Sequence, residues 1–281
     1  MILVFGKTGQ VARELQKHLP DAIFLGRESA DLSEPAKCAA HILEIKPTAV
    51  INAAAYTGVD KAESEKVLAT TINGDAPAAM AKAAATLGIP FVHISTDYVF
   101  DGSGDMPFFP DGSTNPLSTY GRSKLAGELA VRGAGGRHAI LRTSWVFSAH
   151  GSNFVKAMLR LGAESEKLTI VADQIGGPTP AAAIAKALVT IARAMVDGHS
   201  GGTYHFAGAP DASWADFARE IFGQANMTTQ VIDIPTTDYP TPARRPLNSR
   251  LDCESLLRDF AISRPDWREG LSDVLKELFS R

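Results

Sequence analysis

Residues 2–12 read Ile2-Leu-Val-Phe-Gly6-Lys-Thr-Gly9-Gln-Val-Ala12. Four apolar residues, a glycine turn and the start of a helical pattern describe a strand that runs straight into a phosphate-binding helix N-terminus. Glycine permits φ > 0 and close approach of the backbone to a pyrophosphate, whose charge then rests against the free N–H groups of the helix. Gly6 and Gly9 supply that turn, Gln10 and Val11 open the helix, and Ala12 is small enough for close helix–strand packing. The spacing is G-x-x-G-x-x-A, not G-x-G-x-x-G, and a simple strand-to-helix turn with two glycines would also produce it. Its place in a first βαβ unit favours a dinucleotide.

Outward from this turn, short apolar runs alternate with Ala-rich helical stretches. Strands are expected at 2–5, 22–25, 49–52, 91–95 and 139–142, with helices at 11–18, 35–45, 76–87 and 120–131. Ser33 is placed to cap the second helix. Strands of this kind, apolar throughout and separated by helices, imply an α/β fold with a Rossmann-type, doubly wound parallel sheet covered on both faces. The second half is less regular, with helices expected at 153–161, 181–196, 214–222 and 271–279 and a Pro-rich stretch at 235–246. Residues 1–144 with about 172–208 are read as the Rossmann domain, and about 145–171 with 209–281 as a smaller, interleaved substrate lobe.

The 281 residues are 45% hydrophobic and 21% charged, enough for a sizeable core. Lys and Arg total 28 against 31 Asp and Glu, a net charge of -3, which argues against nucleic acid as the partner. The opening MILVF run has no basic flank, and the 181–196 stretch is too short and too charged for a bilayer, so neither a signal peptide nor a membrane partner is expected. Cys38 and Cys253 form no CxxC pair, which points to a reducing cytoplasm.

Dinucleotide sites commonly carry an acid about 20 residues beyond the glycine turn, holding the adenosine ribose. Here Gly26-Arg27 stands at that point, and an arginine suits a 2′-phosphate. NADP(H) is therefore favoured over NAD(H), with Asp31 left a role near the adenine. Further on, Tyr120 and Lys124 are four residues apart in a helix, and so share a face. An ammonium beside a phenol is expected to lower its pKa from about 10 toward the range of a proton donor. Thr96 follows the fourth strand, where ligands of open α/β sheets bind, and is placed to hydrogen-bond a carbonyl oxygen alongside Tyr120.

These pieces together resemble the extended short-chain dehydrogenase/reductase family. The stretches GKTGQV, INAAAYTGVDKAESE, STDYVFDG, PLSTYGRSKLAGE, LRTSWVF and YPTPARRPLNSRLD are similar, within it, to the dTDP-4-dehydrorhamnose reductases. That resemblance covers nearly the whole chain. It implies hydride transfer from NADPH, or NADH, to C4 of dTDP-4-dehydro-L-rhamnose, giving dTDP-L-rhamnose for cell-surface polysaccharide.

It also implies roles. Tyr120 would be the proton donor, Lys124 would hold the nicotinamide ribose, and Thr96 would assist at the carbonyl with Asp97 beside it. Gly9, Gln10 and Val11 would contact the cofactor phosphates, Asp31 and Leu32 would lie by the adenine, and Ala54, Ala55 and Tyr56 along the ribose. Trp145 would pack against the sugar nucleotide, and Arg244, Arg245 and Asn248 would bind its diphosphate. Some family members bind Mg²⁺ through glutamates at a dimer interface. Glu14 and Glu277 fall at such places, but Ala181-Ala182-Ala183 stands where a third acid is wanted. No metal is assigned, and the chain is expected to be a monomer or homodimer.

The nearest rivals are another sugar-nucleotide reductase or epimerase and a non-catalytic NADP-binding regulator. A related dehydratase needs Thr-Asp-Glu where this chain has Thr96-Asp97-Tyr98. An epimerase would hold its nicotinamide tightly and never consume free NADPH. A regulator would have no need of Tyr120 and Lys124.

Overall fold

The computed structural model describes residues 1–280. Chain order in the first half is β1 (Ile2–Phe5), α1 (Gln10–His18), β2 (Ile23–Leu25), α2 (Pro35–Ile45) and β3 (Ala49–Asn52). Then come α3 (Lys66–Thr70), α4 (Ala76–Thr86), β4 (Phe91–Thr96), α5 (Thr119–Gly133) and β5 (His138–Thr143). The second half holds β6 (Val146–Phe147), α6 (Phe154–Glu164), β7 (Lys167–Val171), β8 (Ile175–Gly176), β9 (Thr179–Pro180) and α7 (Ala181–Val196). It closes with β10 (Gly201–Phe206), β11 (Ala212–Ser213), α8 (Trp214–Gln224), β12 (Gln230–Ile234), β13 (Asn248–Ser249), α9 (Glu254–Phe260) and α10 (Trp267–Phe279).

Six strands form one parallel sheet in the order β10-β5-β4-β3-β1-β2. Alternation along β1 shows how the apolar runs are used. Val4 enters one buried cluster with α1 and α7, while Leu3 and Phe5 enter another with α2 and α4. Because side chains of a strand alternate faces, a run that is apolar at every position needs helices on both sides. The sheet has them. The chain visits β2 at one edge, then crosses back over β1 to β3, so the switch in direction lies between β1 and β3. Ligands of open α/β sheets bind in the crevice at that point.

A third buried cluster, built from α6, α8 and α10 with Phe147 and Ala212, lies outside this sheet. Its strands are short: β7 pairs with β12, and β8 sits between β11 and β13. β10 pairs with β5 at the edge of the sheet, and α7 packs in the same core as α1.

Some local expectations change. Ser33 does not cap α2: residue Glu34 occupies the cap position without a side-chain bond, and the Ser33 N–H instead donates to Asp31 Oδ1 at 2.9 Å. Proline at the start of α2 already lacks one of the N–H groups a cap would satisfy. Asn153 and Ser118, by contrast, cap α6 and α5 by accepting backbone N–H bonds. Short elements such as α3, β12 and α9 carry too few periodic residues to register in the sequence, and were not expected.

Candidate active site

At the switch point Gly6 has φ +111, and a Cβ there would meet the Ala53 backbone at 3.2 Å. Only glycine fits that turn without strain. Gly9 is the extended N-cap of α1 and makes no side-chain cap, so the first N–H groups of the helix stay free of intrahelical partners. Val11 is buried in the core and offers a ligand only its backbone. The Gln10 amide is turned toward the second half, where its Oε1 accepts from Ser148 Oγ at 3.0 Å and Asn153 Nδ2 at 2.9 Å. That side chain therefore ties the phosphate turn to the other lobe.

A cavity of about 160 Å³ opens beside Gly6, lined by Gly26, Arg27, Asp31, Leu32, Ala54 and Ala55. The exposed Arg27 pairs with Asp31 at 3.1 Å. Bonds from Ser33 hold the Asp31 carboxyl below the usual carboxylate range, with Arg27 adding to them. Tyr56 does not line this cavity; its OH donates to Glu65 at 2.8 Å and its N–H to Asn73 at 2.8 Å. The uncapped helix start, the glycine turn and the adjoining cavity together fit a dinucleotide phosphate and adenosine.

At the carboxyl end of β4 the character reverses. Lys124 is buried and its Nζ donates to the Ile94 carbonyl at 2.7 Å. His93 Nε2 lies 3.4 Å from the same nitrogen, and His93 Nδ1 lies 3.2 Å from Asn52 Nδ2. Asn52 Oδ1 accepts from the Ala54 N–H, so its Nδ2 donates to His93 and leaves the imidazole hydrogen on Nε2. An N–H pointed at Lys124 favours a neutral amine. Burial acts in the same direction, pulling Lys124 down to about 8 against the charge of Glu128, and holding His93 well below its ordinary value.

Burial also pushes the Tyr120 phenol well above its ordinary value, with Thr96 pulling it part of the way back. The expected lowering by a neighbouring ammonium is not found. A phenolate is costly in this dry setting, and the lysine beside it is itself held toward its neutral form. Tyr120 is thus firmly a phenol, and packs edge-on against Tyr98 with ring centres 5.5 Å apart. Thr96 both satisfies its local turn, accepting from the Tyr98 N–H at 3.2 Å, and donates to Asp97 Oδ1 at 2.9 Å.

Under this pair lies a support that the sequence motifs did not reveal. Glu128, one turn beyond Lys124, is buried and accepts from Arg142 Nε at 2.9 Å and Nη2 at 2.7 Å. Burial would raise its pKa, but the bonds and charge of Arg142 outweigh it and hold the carboxyl below its usual range. Arg142 also reaches the Pro110 carbonyl at 3.0 Å and the neutral His205 at 3.2 Å. Asn73 joins Ser123 of α5 to the Tyr56 backbone. The only available signal was polar residues standing in otherwise apolar strands and helices.

The residues expected around the sugar nucleotide fare differently. Trp145 is half-buried with φ +48, stacked on Trp214 at 3.7 Å and wedged against Gly176. Arg245 binds Asp60 at 2.6 Å and lies 3.4 Å from the Tyr98 hydroxyl, fastening the Pro-rich segment over the site. Arg244 is exposed. Asn248 is buried, and its amide holds the Met106 carbonyl at 2.8 Å, which commits it to the neighbouring loop. Its neighbour Ser249 lies beside Asp97.

Glu14, His150 and Glu277 offer ligand atoms within 4.8 Å of one another. Lys17 Nζ lies 2.9 Å from Glu14 and 3.6 Å from Glu277. An ammonium already pairs with both acids and one donor is an imidazole, whereas Mg²⁺ wants an all-oxygen shell. The group does not fit Mg²⁺. The third donor comes from the loop before α6, not from α7.

With this geometry in place, likeness to known proteins becomes specific. The family described as RmlD substrate binding domain matches residues 1–280. A dTDP-4-dehydrorhamnose reductase of Sinorhizobium fredii is 48% identical, the match covering 96% of this chain and 94% of the relative. The chain belongs to this reductase family. A crystal structure of a family member from Clostridium acetobutylicum has a TM-score of 0.93 at 35% identity, covering 99% of both chains. Another, from Bacillus anthracis in complex with NADP, has a TM-score of 0.91 at 36% identity over 98% of both. Among the described residues no helix is long and apolar enough to cross a membrane.

Proposed function

We propose that the protein reduces the C4 keto group of dTDP-4-dehydro-L-rhamnose, using NADPH and accepting NADH, to make dTDP-L-rhamnose. The observation that carries this reading is the buried Tyr120 phenol, facing Thr96 and one helical turn from Lys124, beside a phosphate turn in a chain 48% identical to a relative of that name. NADPH supplies the hydride when bound. The Gly6–Val11 turn holds its diphosphate, with Leu32, Ala54 and Ala55 along the adenosine and Arg27 reaching the 2′-phosphate. Lys124 holds the nicotinamide ribose. Tyr120 gives its proton to the C4 oxygen while Thr96 steadies that oxygen.

We assign the sugar nucleotide to the lobe of residues 145–171 and 209–281, where Trp145 stacks on the ligand and the Arg244–Arg245 pair faces its diphosphate. Two buried free thiols suit a reducing, cytoplasmic setting. The test is NADPH absorbance with dTDP-4-dehydro-L-rhamnose. Wild type is expected to turn over, and Tyr120→Phe to lose about 100- to 10,000-fold in kcat/KM. No turnover by wild type overturns the substrate; full activity in the variant overturns the proton donor.

A further inference from the structure

Every turnover takes the Tyr120 proton and leaves a phenolate in a buried site. Something must return that proton. The Thr96 hydroxyl is close enough to the Tyr120 phenol to pull its pKa down, and it donates to Asp97 Oδ1 at 2.9 Å, so one hydroxyl stands between Tyr120 and a carboxyl. Asp97 is 3% exposed, and its Oδ2 makes no hydrogen bond of ordinary geometry among the described residues. A buried carboxylate normally has every oxygen engaged. A carboxylic acid, with a proton on one oxygen, suits such a place far better than an anion does.

We propose that Asp97 is the proton reserve that reloads Tyr120 through Thr96. This rests on the reductase reading above. In the chemical step hydride reaches C4 and the Tyr120 O–H proton goes to the former keto oxygen, giving the alcohol and a phenolate. The Thr96 hydroxyl then turns to the phenolate and passes its proton to it. In the same movement the Asp97 carboxyl rotates to bring its protonated oxygen to Thr96 Oγ and gives it that proton, so no alkoxide is left on Thr96. Phenol and hydroxyl are restored, and the negative charge has moved to Asp97, which recovers a proton from water once product leaves.

The surroundings support a carboxyl able to exchange its proton near neutrality. Burial pushes Asp97 up to about 6, and Ser249 and Thr96 only partly offset this. The titratable groups facing it are the phenols of Tyr98, on the following turn, and Tyr120, on α5. Arg245 acts on the adjoining Tyr98 and is itself paired with Asp60. Asp97 acts through Thr96, which makes it a relay residue and not a group that attacks the sugar.

The experiment compares a single turnover, with enzyme in excess over keto-sugar, against the steady state, by NADPH absorbance. For Asp97→Asn, steady-state kcat is expected to fall about 10- to 100-fold more than the first-turnover rate, and the decline of kcat as pH rises through about 6, where wild type loses the reserve proton, to disappear. Asp97→Glu, which can carry a proton, is expected to recover part of the loss. Equal losses in the two regimes would assign Asp97 to sugar binding and overturn the relay; an unchanged kcat would do the same. Ultraviolet titration of Tyr120, by difference against Tyr120→Phe, needs no sugar. If wild type reduces no keto-sugar, the activity reading falls, while the relay falls separately if Asp97→Asn leaves that titration unmoved.

Discussion

Two aspartates that follow strands of the same sheet, β2 at its edge and β4 nearer its middle, show how the cleft divides. Asp31, past β2, faces an open cavity, takes N–H donors from Ser33 and pairs with Arg27, and its carboxyl is held low. Asp97, past β4, is closed off from water, has one oxygen with no hydrogen bond of ordinary geometry, and is pushed up to about 6. Side chain and position in a βα unit are alike. Water and the supply of donors are not. The end beside Gly6 keeps its carboxyl ionised next to an arginine. The end past β4 holds the Asp97 carboxyl and the Tyr120 phenol toward their protonated forms.

Glu128 is the control for burial, because it is as enclosed as Asp97 yet stays ionised between Arg142 and Arg132. If pairing is what separates the two, Glu128→Ala leaves Arg142 buried without a counter-charge. It should cost about 3–5 kcal/mol in urea unfolding, whereas a cost below 1 kcal/mol would break the distinction. Asp97→Asn should do the opposite and stabilise the protein at pH 7. The unfolded aspartate ionises near 3.8 and the folded one near 6, so stability falls as pH rises between those values and stays lowered above them. Replacing the acid removes that loss, a gain of up to about 3 kcal/mol at pH 7 that vanishes near pH 3. A variant no more stable than wild type at pH 7 would show that Asp97 carries no strain.

At the open end the effects are smaller. Arg27→Ala is expected to raise KM for NADPH about tenfold and to leave NADH nearly untouched, measured by varying each cofactor. Equal effects on both would detach Arg27 from the 2′-phosphate. Asp31→Asn should destabilise by less than about 1 kcal/mol at pH 7. Its folded pKa lies below its unfolded one, so wild type loses that contribution as pH falls through about 4 and below, and the two proteins should then converge in thermal midpoint.

Local motifs were legible because their requirements are local. The apolar β1 run, a glycine needed at φ +111, and a four-residue spacing on one helix face are visible without any fold. The alternation of strands and helices carried the doubly wound sheet for the same reason. His93, Glu128, Arg142 and Asn73 were not legible, since each acts on a residue 14 to 50 positions away. Nothing in a linear pattern separates such a buried polar residue from a solvated one. His150, the third member of the Glu14 cluster, was missed for that reason too.

Sequence alone therefore determined which groups are present: a phosphate turn, a phenol and an amine on one face, a hydroxyl and a carboxyl after the fourth strand. Only the tertiary structure decided their charge states. Spacing suggested an ammonium lowering a phenol, but the closed end of the cleft raises Tyr120 and lowers Lys124 together. Charge is priced by solvent and by partners brought from other strands and helices, and both are set only when the chain has folded.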